Sequence, residues 1–471
     1  MSFDPYQRIA ELEAAVAERD ARIAKLESLL AIALARIDEL EARLKRNSKN
    51  SDTPPSADRP GAPKPPPNKK ASGRKRGGQP GHPGSHRASV VPDSVVDHFP
   101  AACDHCQSAL TPADTSDPLR HQVTELPPIC IEVVEHRLHR LACPDCGKHS
   151  RASLPVGIPT SQFGPRITAA VALLSGRFRI SRREVSALFA ELFGGGLSVG
   201  SVQALCERVS VAITVPVAEV ADHIEASPVV HADETGWRHQ GKKHWLWMAS
   251  SKSATVFKIH RKRGHEGCDS VLSRSYAGIV VSDRWSVYKR YENRALCHAH
   301  LLRNWTAVAE CKNADAKRLG KWAVSETLCL LRWHRQVRDG TITLAGLQRR
   351  MRLLKGRYAK LLEQAKVSRH KRTKRLAKQL QAQWDALWTF ASTPGVDPTN
   401  NHGERQIRPA VLHRKGSLGT WSDAGARFLE RAMTVAATAK LQGVRLLDFL
   451  HAACTASLTQ QAPPSLFAAA N

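Results

Sequence analysis

The stretch between residues 228 and 303 limits the possible folds of this chain more than any other. Short apolar runs in "PVVHADET", "HWLWMASS" and "ATVFKIH" predict three β-strands. "GCDSVLSRSYA" predicts a helix, "GIVVSDRW" a fourth strand, and "RALCHAHLLRNW" a fifth strand that runs into a helix. This order of strands and helices predicts an α/β domain with a mixed central sheet.

Two aspartates occupy matching places in that pattern. Asp233 and Asp283 each follow three or four apolar residues, at or near the end of a predicted strand. If the two strands are neighbours, the carboxylates emerge side by side and repel unless a cation separates them. Oxygen ligands so arranged suit Mg²⁺ or Mn²⁺, and such a pair can bridge two metal ions that act at phosphorus. The alternative is a pair of ordinary turn or cap residues. Glu234 is expected to point to the opposite face of its strand and to take no part.

Net charge sets this chain apart from an ordinary globular protein. Its 471 residues include 70 Lys and Arg against 43 Asp and Glu, which gives a net charge of +27. A field of that sign favours polyanions, with nucleic acid as the leading partner and an anionic membrane surface as the rival. No apolar run approaches the length of a membrane span, and the N-terminus has no apolar signal core. We therefore expect a cytoplasmic protein.

Residues 1–46 are predicted to be a coiled-coil helix, and residues 9–44 within it carry a heptad repeat. Its a positions are mostly β-branched and its d positions mostly leucine, which favours a parallel two-stranded coiled coil. The alternative is a single amphipathic helix that folds onto its own domain. The a positions are Ile9, Val16, Ile23, Leu30, Ile37 and Leu44, and the d positions are Leu12, Arg19, Leu26, Ala33 and Leu40.

Residues 47–98 form a basic, proline-rich stretch that cannot bury a core, so we expect an extended tether. The segment "GRKRGGQPGHPGSHR" combines glycines, which let the backbone approach a partner, with cations that neutralise phosphates. It therefore predicts DNA contact by Arg74, Lys75 and Arg76. The alternative is a plain solvated linker.

The chain holds two C-x-x-C pairs, Cys103 with Cys106 and Cys143 with Cys146. Four thiolates are the number that tetrahedral zinc needs, and they leave no open position, so a structural Zn²⁺ is predicted. We interpret residues 99–155 as a zinc ribbon, with two strands between the pairs and Cys130 buried in one of them. The alternative is two unrelated thiol pairs.

Two further segments predict helices. Within residues 160–222, two short helices flank a glycine-rich turn, which suggests a helix-turn-helix or, equally, a hairpin with a packing role. Residues 304–392 form a helical block in which positions 332–378 hold sixteen Lys or Arg and two acids. That imbalance favours a DNA-facing surface over a merely solvated one.

The motifs "HADETGWR", "SDRWSVY", "CHAHLLR" and "TNNHGERQIRP" together resemble those of bacterial transposases of the insertion sequence sixty-six family. The resemblance covers nearly the whole chain, including the coiled coil and the cysteine pairs. It implies a multidomain α/β protein whose RNase H-like catalytic core occupies residues 226–303 and 393–432. Residues 304–392 would be a helical insertion in that core, and residues 433–471 a C-terminal helical segment and tail.

Carried over residue by residue, the resemblance implies a catalytic set of Asp233, Asp283 and Glu404 that holds Mg²⁺ or Mn²⁺. Cys297 and His300 match a C-x-x-H pattern of such cores and are interpreted as possible structural residues. Nearby cations would contact phosphate or, alternatively, form salt bridges within their helix; they are Arg405, Arg408 and Lys415.

The implied function is cleavage at transposon inverted-repeat ends and transfer of the freed 3′ hydroxyl into target DNA. Its partners would be double-stranded DNA, further copies of the chain and possible small accessory proteins, at the bacterial nucleoid and away from membranes. Two alternatives stay open. One is a catalytically silent DNA-binding regulator or relic, and the other is a stand-alone RNase H-like nuclease.

Overall fold

The computed structural model describes residues 5–44, 46–51, 81, 88–111 and 118–467. The chain divides into two compact units, each described by itself: residues 1–62, 134–191 and 195–471 belong to one, and residues 63–133 and 192–194 to the other. None of the described helices combines the length and apolar composition needed to cross a lipid bilayer.

The described helices are α1 (Pro5–Leu44), α2 (Pro165–Ala172), α3 (Arg182–Phe193), α4 (Val199–Ala212), α5 (Thr214–Ala226), α6 (His265–Asp269), α7 (His298–Ala309), α8 (Ala314–Arg338), α9 (Leu344–Val367), α10 (Lys371–Gln381), α11 (Thr389–Ser392), α12 (Asn401–Ser417), α13 (Asp423–Gln442) and α14 (Leu446–Leu458). The strands are β1 (Arg140–Ala142), β2 (His149–Arg151), β3 (Val229–His239), β4 (Lys242–Ser250), β5 (Thr255–His260), β6 (Ile279–Ser282) and β7 (Arg294–Leu296).

A five-stranded mixed sheet forms the centre of the larger unit, as the sequence predicts. Its order is β5-β4-β3-β6-β7, with β3, β4 and β5 antiparallel and with β6 and β7 parallel to β3. The β3–β4 hairpin turns at Gln240 and Gly241, whose φ angles of 51° and 71° suit a tight hairpin loop. The helix predicted over "GCDSVLSRSYA" is much shorter than expected. The observed helix, α6, already ends at Asp269.

The course of β3 also differs from the expectation. The strand does not end near Asp233 but continues to His239, because β4 pairs with it along that whole stretch. On its other side, the pairing with β6 reaches only His231. Asp233 therefore follows the end of the parallel ladder, although it lies in the middle of its own strand.

Helices α12 and α13 cover one face of the sheet. Trp237, Leu246 and Met248 from the strands pack with Ile407 of α12 and Leu429 of α13. Threonine and glutamate side chains of α13 also accept hydrogen bonds from three backbone N–H groups on the outer side of β5. This cover protects an edge strand that would otherwise expose unpaired donors.

The helices between residues 304 and 392 share a hydrophobic core with β6 and β7. Trp305, which is fully buried, donates from Nε1 to the hydroxyl of Tyr358 at 2.8 Å and so joins α7 to α9. Trp388 is also buried in this core. The same cluster is contacted by three partly buried tryptophans, namely Trp322, Trp333 and Trp384. The tryptophans of this block therefore serve mainly as core anchors.

The segment between the cysteine pairs contradicts one expectation. Residues 118–139 contain no strand, and the only strand before Cys143 in the described part of this segment is the three-residue β1. Cys130 is exposed rather than buried in a strand. Pro127 and Pro128 give a physical reason, because proline cannot donate to a β-ladder.

Helix α4 packs against α2, α13 and α14 and buries Leu205, Cys206 and Val209. A glycine with a left-handed φ of 64°, Gly194, follows α3. These contacts show how α4 is held in the fold. The interpretation of α3 and α4 as a helix-turn-helix stays a prediction.

Helix α1 is continuous over 40 residues, and the heptad seam lies along it. Its apolar side chains are about half exposed: Leu26 is 57% exposed and Leu30 60%. An apolar stripe of this length on one helix has the pattern of a coiled-coil seam. The prediction of self-association through α1 follows from this exposure.

Replacement of Leu26 by glutamate should lower the oligomeric mass of the full-length protein, because a charge at a d position would have to be buried in the seam. Light scattering coupled to size exclusion measures that mass. Ile32, which is 64% exposed and lies outside the a and d positions, provides the matched control Ile32→Glu. An unchanged mass for Leu26→Glu, or an equal loss for Ile32→Glu, would contradict the seam.

Candidate active site

The register of the parallel strands aligns the two predicted aspartates. Val229 pairs with Ile279 and His231 with Val281, so each residue of β3 lies opposite the residue fifty positions later in β6. The same offset relates Asp233 to Asp283, which directly follows the last residue of β6. Since neighbouring strands lie about 4.8 Å apart, the two carboxylates emerge beside each other at one edge of the parallel ladder.

The electrostatics agree with that placement. Burial raises the pKa of Asp233 to about 8, and the carboxylates of Glu234 and Asp283 add to the rise. Burial also raises the pKa of Glu234, again with a contribution from Asp283. Asp233 and Glu234 are therefore poorly solvated and close to the charge of Asp283, and a divalent cation there would relieve the repulsion.

Asn400 fixes the helix that carries the third predicted acid. Asn400 is 1% exposed. Its Nδ2 donates to the carbonyl oxygen of Ala232 at 3.0 Å, and its Oδ1 lies 2.9 Å from Nδ1 of His231. Its backbone N–H donates to Sγ of Cys297 at 3.1 Å. Helix α12 starts at the next residue, and the N–H of Glu404 donates to the carbonyl of Asn400 at 2.9 Å. These bonds tie the first turn of α12 to β3 and to the start of α7.

Replacement of Asn400 by alanine should lower the free energy of unfolding by about 2 kcal/mol, because it leaves buried polar groups of His231 and Ala232 without their partner. Urea denaturation measures the change. Asn401 is exposed and makes the matched control, Asn401→Ala, for which we expect a change of less than about 0.5 kcal/mol. Equal effects of the two substitutions would contradict the role of Asn400.

Glu404 lies beside His300. Nδ1 of His300 and Oε1 of Glu404 are 3.8 Å apart, and Arg303 is at the same distance from that oxygen. Burial lowers the pKa of His300, but the close approach of Cys297 and the charge of Asp283 outweigh it and raise this pKa to about 10. The charge of His300 in turn lowers the pKa of Asp233. His300 therefore has Asp233, Asp283 and Glu404 around it, so the structure brings the three predicted acids into one neighbourhood.

Glu234 influences Asp233 through its charge, while its own carboxylate is bound by other partners. Its side chain is 3% exposed, and Oε1 accepts hydrogen bonds from Nε and Nη2 of Arg263 at 3.0 and 2.8 Å. The hydroxyl of Tyr288 donates to Oε2 at 2.6 Å. The guanidinium of Arg263 also lies over the rings of Trp245 and Trp285, at 4.6 and 4.1 Å from their centres. Glu234, the residue after Asp233 on β3, is thus bound by an arginine that also contacts two aromatic rings.

The sequence did not point to Asn400, Arg263 or Tyr288 as parts of the site. Asn400 carries a local signal, since asparagine commonly stands just before a helix. Arg263 and Tyr288 carry none, because their common partner Glu234 lies 29 and 54 residues away from them in sequence.

The cations predicted beside Glu404 are on the outside of α12. Arg405, Arg408 and Lys415 are exposed. Within the part of the chain that the structure describes, neither Arg405 nor Arg408 forms an ion pair with a carboxylate, so the salt-bridge alternative has no support for these two. The predicted contacts Arg74, Lys75 and Arg76 lie outside the described residues.

The first cysteine pair forms a compact turn. The N–H of Cys103 donates to the carbonyl of Ser108 at 2.9 Å, and the N–H of Gln107 donates back to the carbonyl of Cys103 at 2.9 Å. Gln107 has a left-handed φ of 64°. A hydrogen bond with the Ser108 side chain lowers the pKa of Cys106, which favours the thiolate that a metal ion binds.

The second pair repeats that turn. The N–H of Cys143 donates to Lys148 at 2.8 Å, Gly147 donates to Cys143 at 3.0 Å, and Gly147 has a φ of 70°. Backbone hydrogen bonds from Cys146 and Asp145 lower the pKa of Cys143. Each pair thus has the same backbone geometry, and one cysteine in each has a lowered pKa.

The zinc held by the C-x-x-C cysteines should amount to about one ion per chain, because four thiolates complete one tetrahedral site. Cys146→Ser should lose this ion, and the matched control Cys130→Ser should keep it. Elemental analysis after dialysis against a weak chelator measures both. A metal-free wild type, or a zinc content that Cys146→Ser leaves unchanged, would contradict the site.

Family models cover much of the chain. Residues 160–428 match the model described as transposase IS66 family, and residues 100–147 match the zinc-finger binding domain of transposase IS66. Residues 4–88 match a family of unknown function, DUF6444. The zinc-finger match spans both cysteine pairs.

One relative gives a weaker likeness. The uncharacterized protein y4qI of Sinorhizobium fredii (strain NBRC 101917 / NGR234) is 25% identical over 267 residues, which cover 50% of this chain and 49% of the relative. This chain therefore spans about half the length of that relative. The transposase match alone covers more than half of the chain and includes β3, β6 and α12, so the protein belongs to the IS66 family of transposases.

Proposed function

We propose that this chain is a DNA transposase in which Asp233, Asp283 and Glu404 hold Mg²⁺, or Mn²⁺, and cut and join DNA strands. The observation that carries the proposal is the matched register of Asp233 and Asp283 on neighbouring parallel strands, with Glu404 brought to the same place by α12. The family membership supports the reaction class.

The sheet order supports an RNase H-like core. Three antiparallel strands continue into two strands that run parallel to the first. In chain order, Asp233 stands on the first strand of this sheet and Asp283 directly follows the fourth. The helices between residues 304 and 392 separate Glu404 from the sheet in sequence, while α12 returns it to β3 in space. We infer that they are an insertion in this core.

The chemistry of the donor set fits a hard divalent cation. Carboxylate oxygens are the ligands that Mg²⁺ prefers, and within the described residues the buried Oε1 of Glu404 has no hydrogen-bond partner. When bound, such ions activate an attacking oxygen and stabilise a leaving oxygen at phosphorus. The acids hold and orient this charge, while Asn400 and the Glu234–Arg263 ion pair hold the elements that carry them.

Basic side chains next to the acids would bind the phosphates. Arg408 follows Glu404 by four residues, so both lie along the same side of α12. Arg284, the neighbour of Asp283, donates to Gln379 of α10 at 2.8 Å. Helix α10 buries its apolar side chains and exposes a row of cations, namely Lys371, Arg372, Lys374, Arg375 and Lys378.

This arrangement supports a DNA path that leads from α10 to the acids. Five cations on one face exceed what solubility requires, and their contacts would position DNA without reading its sequence. Binding of transposon ends, further copies of the chain, accessory proteins and a location at the nucleoid stay predictions.

A cleavage assay on the full-length protein tests the proposal. The substrate is a duplex that carries the inverted-repeat ends flanking the coding region, with Mg²⁺, with Mn²⁺ or with chelator. We expect metal-dependent nicks at the ends that leave a 3′ hydroxyl. Binding without cleavage in either metal would support the silent regulator instead, and preferential cleavage of RNA–DNA hybrids would support the stand-alone nuclease.

A further inference from the structure

Three side chains of different chemistry converge beside the acids. Sγ of Cys297, a ring nitrogen of His300 and a carboxylate oxygen of Glu404 all lie within 4.8 Å of one another. Cys297 directly precedes α7, His300 lies in its first turn, and Glu404 lies in the first turn of α12. Two helix starts therefore supply the whole cluster, and Asn400 ties them together.

This cluster differs in chemistry from the aspartate pair. Thiolate, imidazole and carboxylate form the mixed set that zinc-like ions use, and three such ligands leave a fourth position open. Oxygen ligands alone, as at Asp233 and Asp283, suit Mg²⁺ instead. The two ligand sets have one side chain in common, Glu404.

The surroundings of the cluster also point to a ligand. Nδ1 of His300 and Oε1 of Glu404 are both buried, and neither has a hydrogen-bond partner among the described residues. The N–H of Asn400 donates to Sγ of Cys297, the kind of outer contact that orients a metal-binding sulfur. Cys297 is buried, whereas His300 and Glu404 are partly exposed, so an ion can reach the cluster from solvent.

We propose that Cys297, His300 and Glu404 form a second cation site that binds a Zn²⁺-like ion, and that its occupation withdraws Glu404 from Asp233 and Asp283. The second half of this statement rests on the proposed function. Binding releases the thiol proton of Cys297 and the ring proton of His300 to solvent. The site then acts as a switch: a zinc-like ion there prevents the arrangement of three acids that strand cleavage needs.

Cobalt is the probe for the site, because Co²⁺ replaces Zn²⁺ and gives a charge-transfer band with thiolates. Metal-free full-length protein is titrated with Co²⁺ as wild type, Cys297→Ser and Cys206→Ser. The four cysteines of the C-x-x-C pairs are present in all three proteins, so differences in cobalt binding report on the altered cysteine. Cys206 is buried and lies in α4, which makes it the matched control.

We expect wild type and Cys206→Ser to bind one more Co²⁺ per chain than Cys297→Ser, with a correspondingly stronger charge-transfer band. Equal stoichiometry and equal band intensity in all three would overturn the site. If Cys297→Ser fails to fold, as judged by its melting curve, His300→Gln replaces it. His300→Gln should also lose one equivalent, and its full retention would equally overturn the site.

Cleavage with and without added Zn²⁺ tests the switch. With Mg²⁺ in excess and Zn²⁺ at ten times its Kd, the wild-type rate should fall by about tenfold, since mass action leaves about a tenth of the chains zinc-free. The rate of Cys297→Ser, relative to its own zinc-free rate, should fall much less. Equal inhibition would overturn the switch. An absence of all Mg²⁺-dependent cleavage would refute the proposed function and leave the cobalt result intact.

Discussion

Asp283→Asn should reduce Mg²⁺-dependent strand cleavage by about 10³-fold, which corresponds to roughly 4 kcal/mol of lost transition-state stabilisation. The amide keeps the shape of the side chain and can still accept the N–H bond that Trp285 donates to Oδ1 at 2.8 Å. It removes the charge that attracts the cation. DNA binding in the absence of metal should persist, because the exposed cations of α10 and α12 are unchanged.

Single-turnover cleavage and a gel-shift assay measure the two quantities. Asp448→Asn is the matched control, since Asp448 is half exposed in α14 and pairs with Arg445 rather than with the acid cluster. Cleavage by Asp283→Asn at the wild-type rate would remove Asp283 from the catalytic set. Loss of DNA binding in the same variant would point to a folding defect instead.

Arg263→Met should lower the free energy of unfolding by about 2 kcal/mol, because it leaves the buried carboxylate of Glu234 without its cation. Loss of a partner to a buried charge can cost more, but Arg263 is itself 38% exposed and Tyr288 still donates to Glu234. The loss of the contact with the ring of Trp285 adds to the effect. Urea denaturation gives the value.

A double-mutant cycle isolates the ion pair. In a Glu234→Gln background the neutral amide needs no cation, so Arg263→Met should cost less than half as much as in the wild type. Arg261→Met is the matched control, since Arg261 is exposed and lies two residues earlier. An equal cost of Arg263→Met in both backgrounds would show that the arginine acts through packing and not through Glu234.

The position of Asp233 shows how far local patterns extend. The apolar run before it predicts a strand, and a strand is present, but the strand runs six residues beyond Asp233 to His239. Apolar periodicity reports which residues are buried, whereas the length of a strand depends on the partner beside it. Here β4 continues the pairing after β6 has ended.

Glu234 shows a second limit. The alternation of side chains along a strand suggests that neighbours face apart, and it led to the expectation that Glu234 takes no part. Its charge nevertheless raises the pKa of Asp233, because both groups are buried in a medium that screens poorly. The cation that balances Glu234 comes from a loop 29 residues later, beyond the reach of any local pattern.

The sequence by itself determined the order of the sheet elements, the two cysteine turns, the heptad of α1, the candidate acids and the family. Each of these depends on residue types at short spacing, which local sterics and hydrophobic periodicity control. Only the tertiary structure decided the register that aligns Asp233 with Asp283, and the return of Glu404 to His300. Both depend on contacts between residues far apart in sequence, such as the bonds from Asn400 to Ala232 and Cys297, which form only when the helices around the sheet have packed.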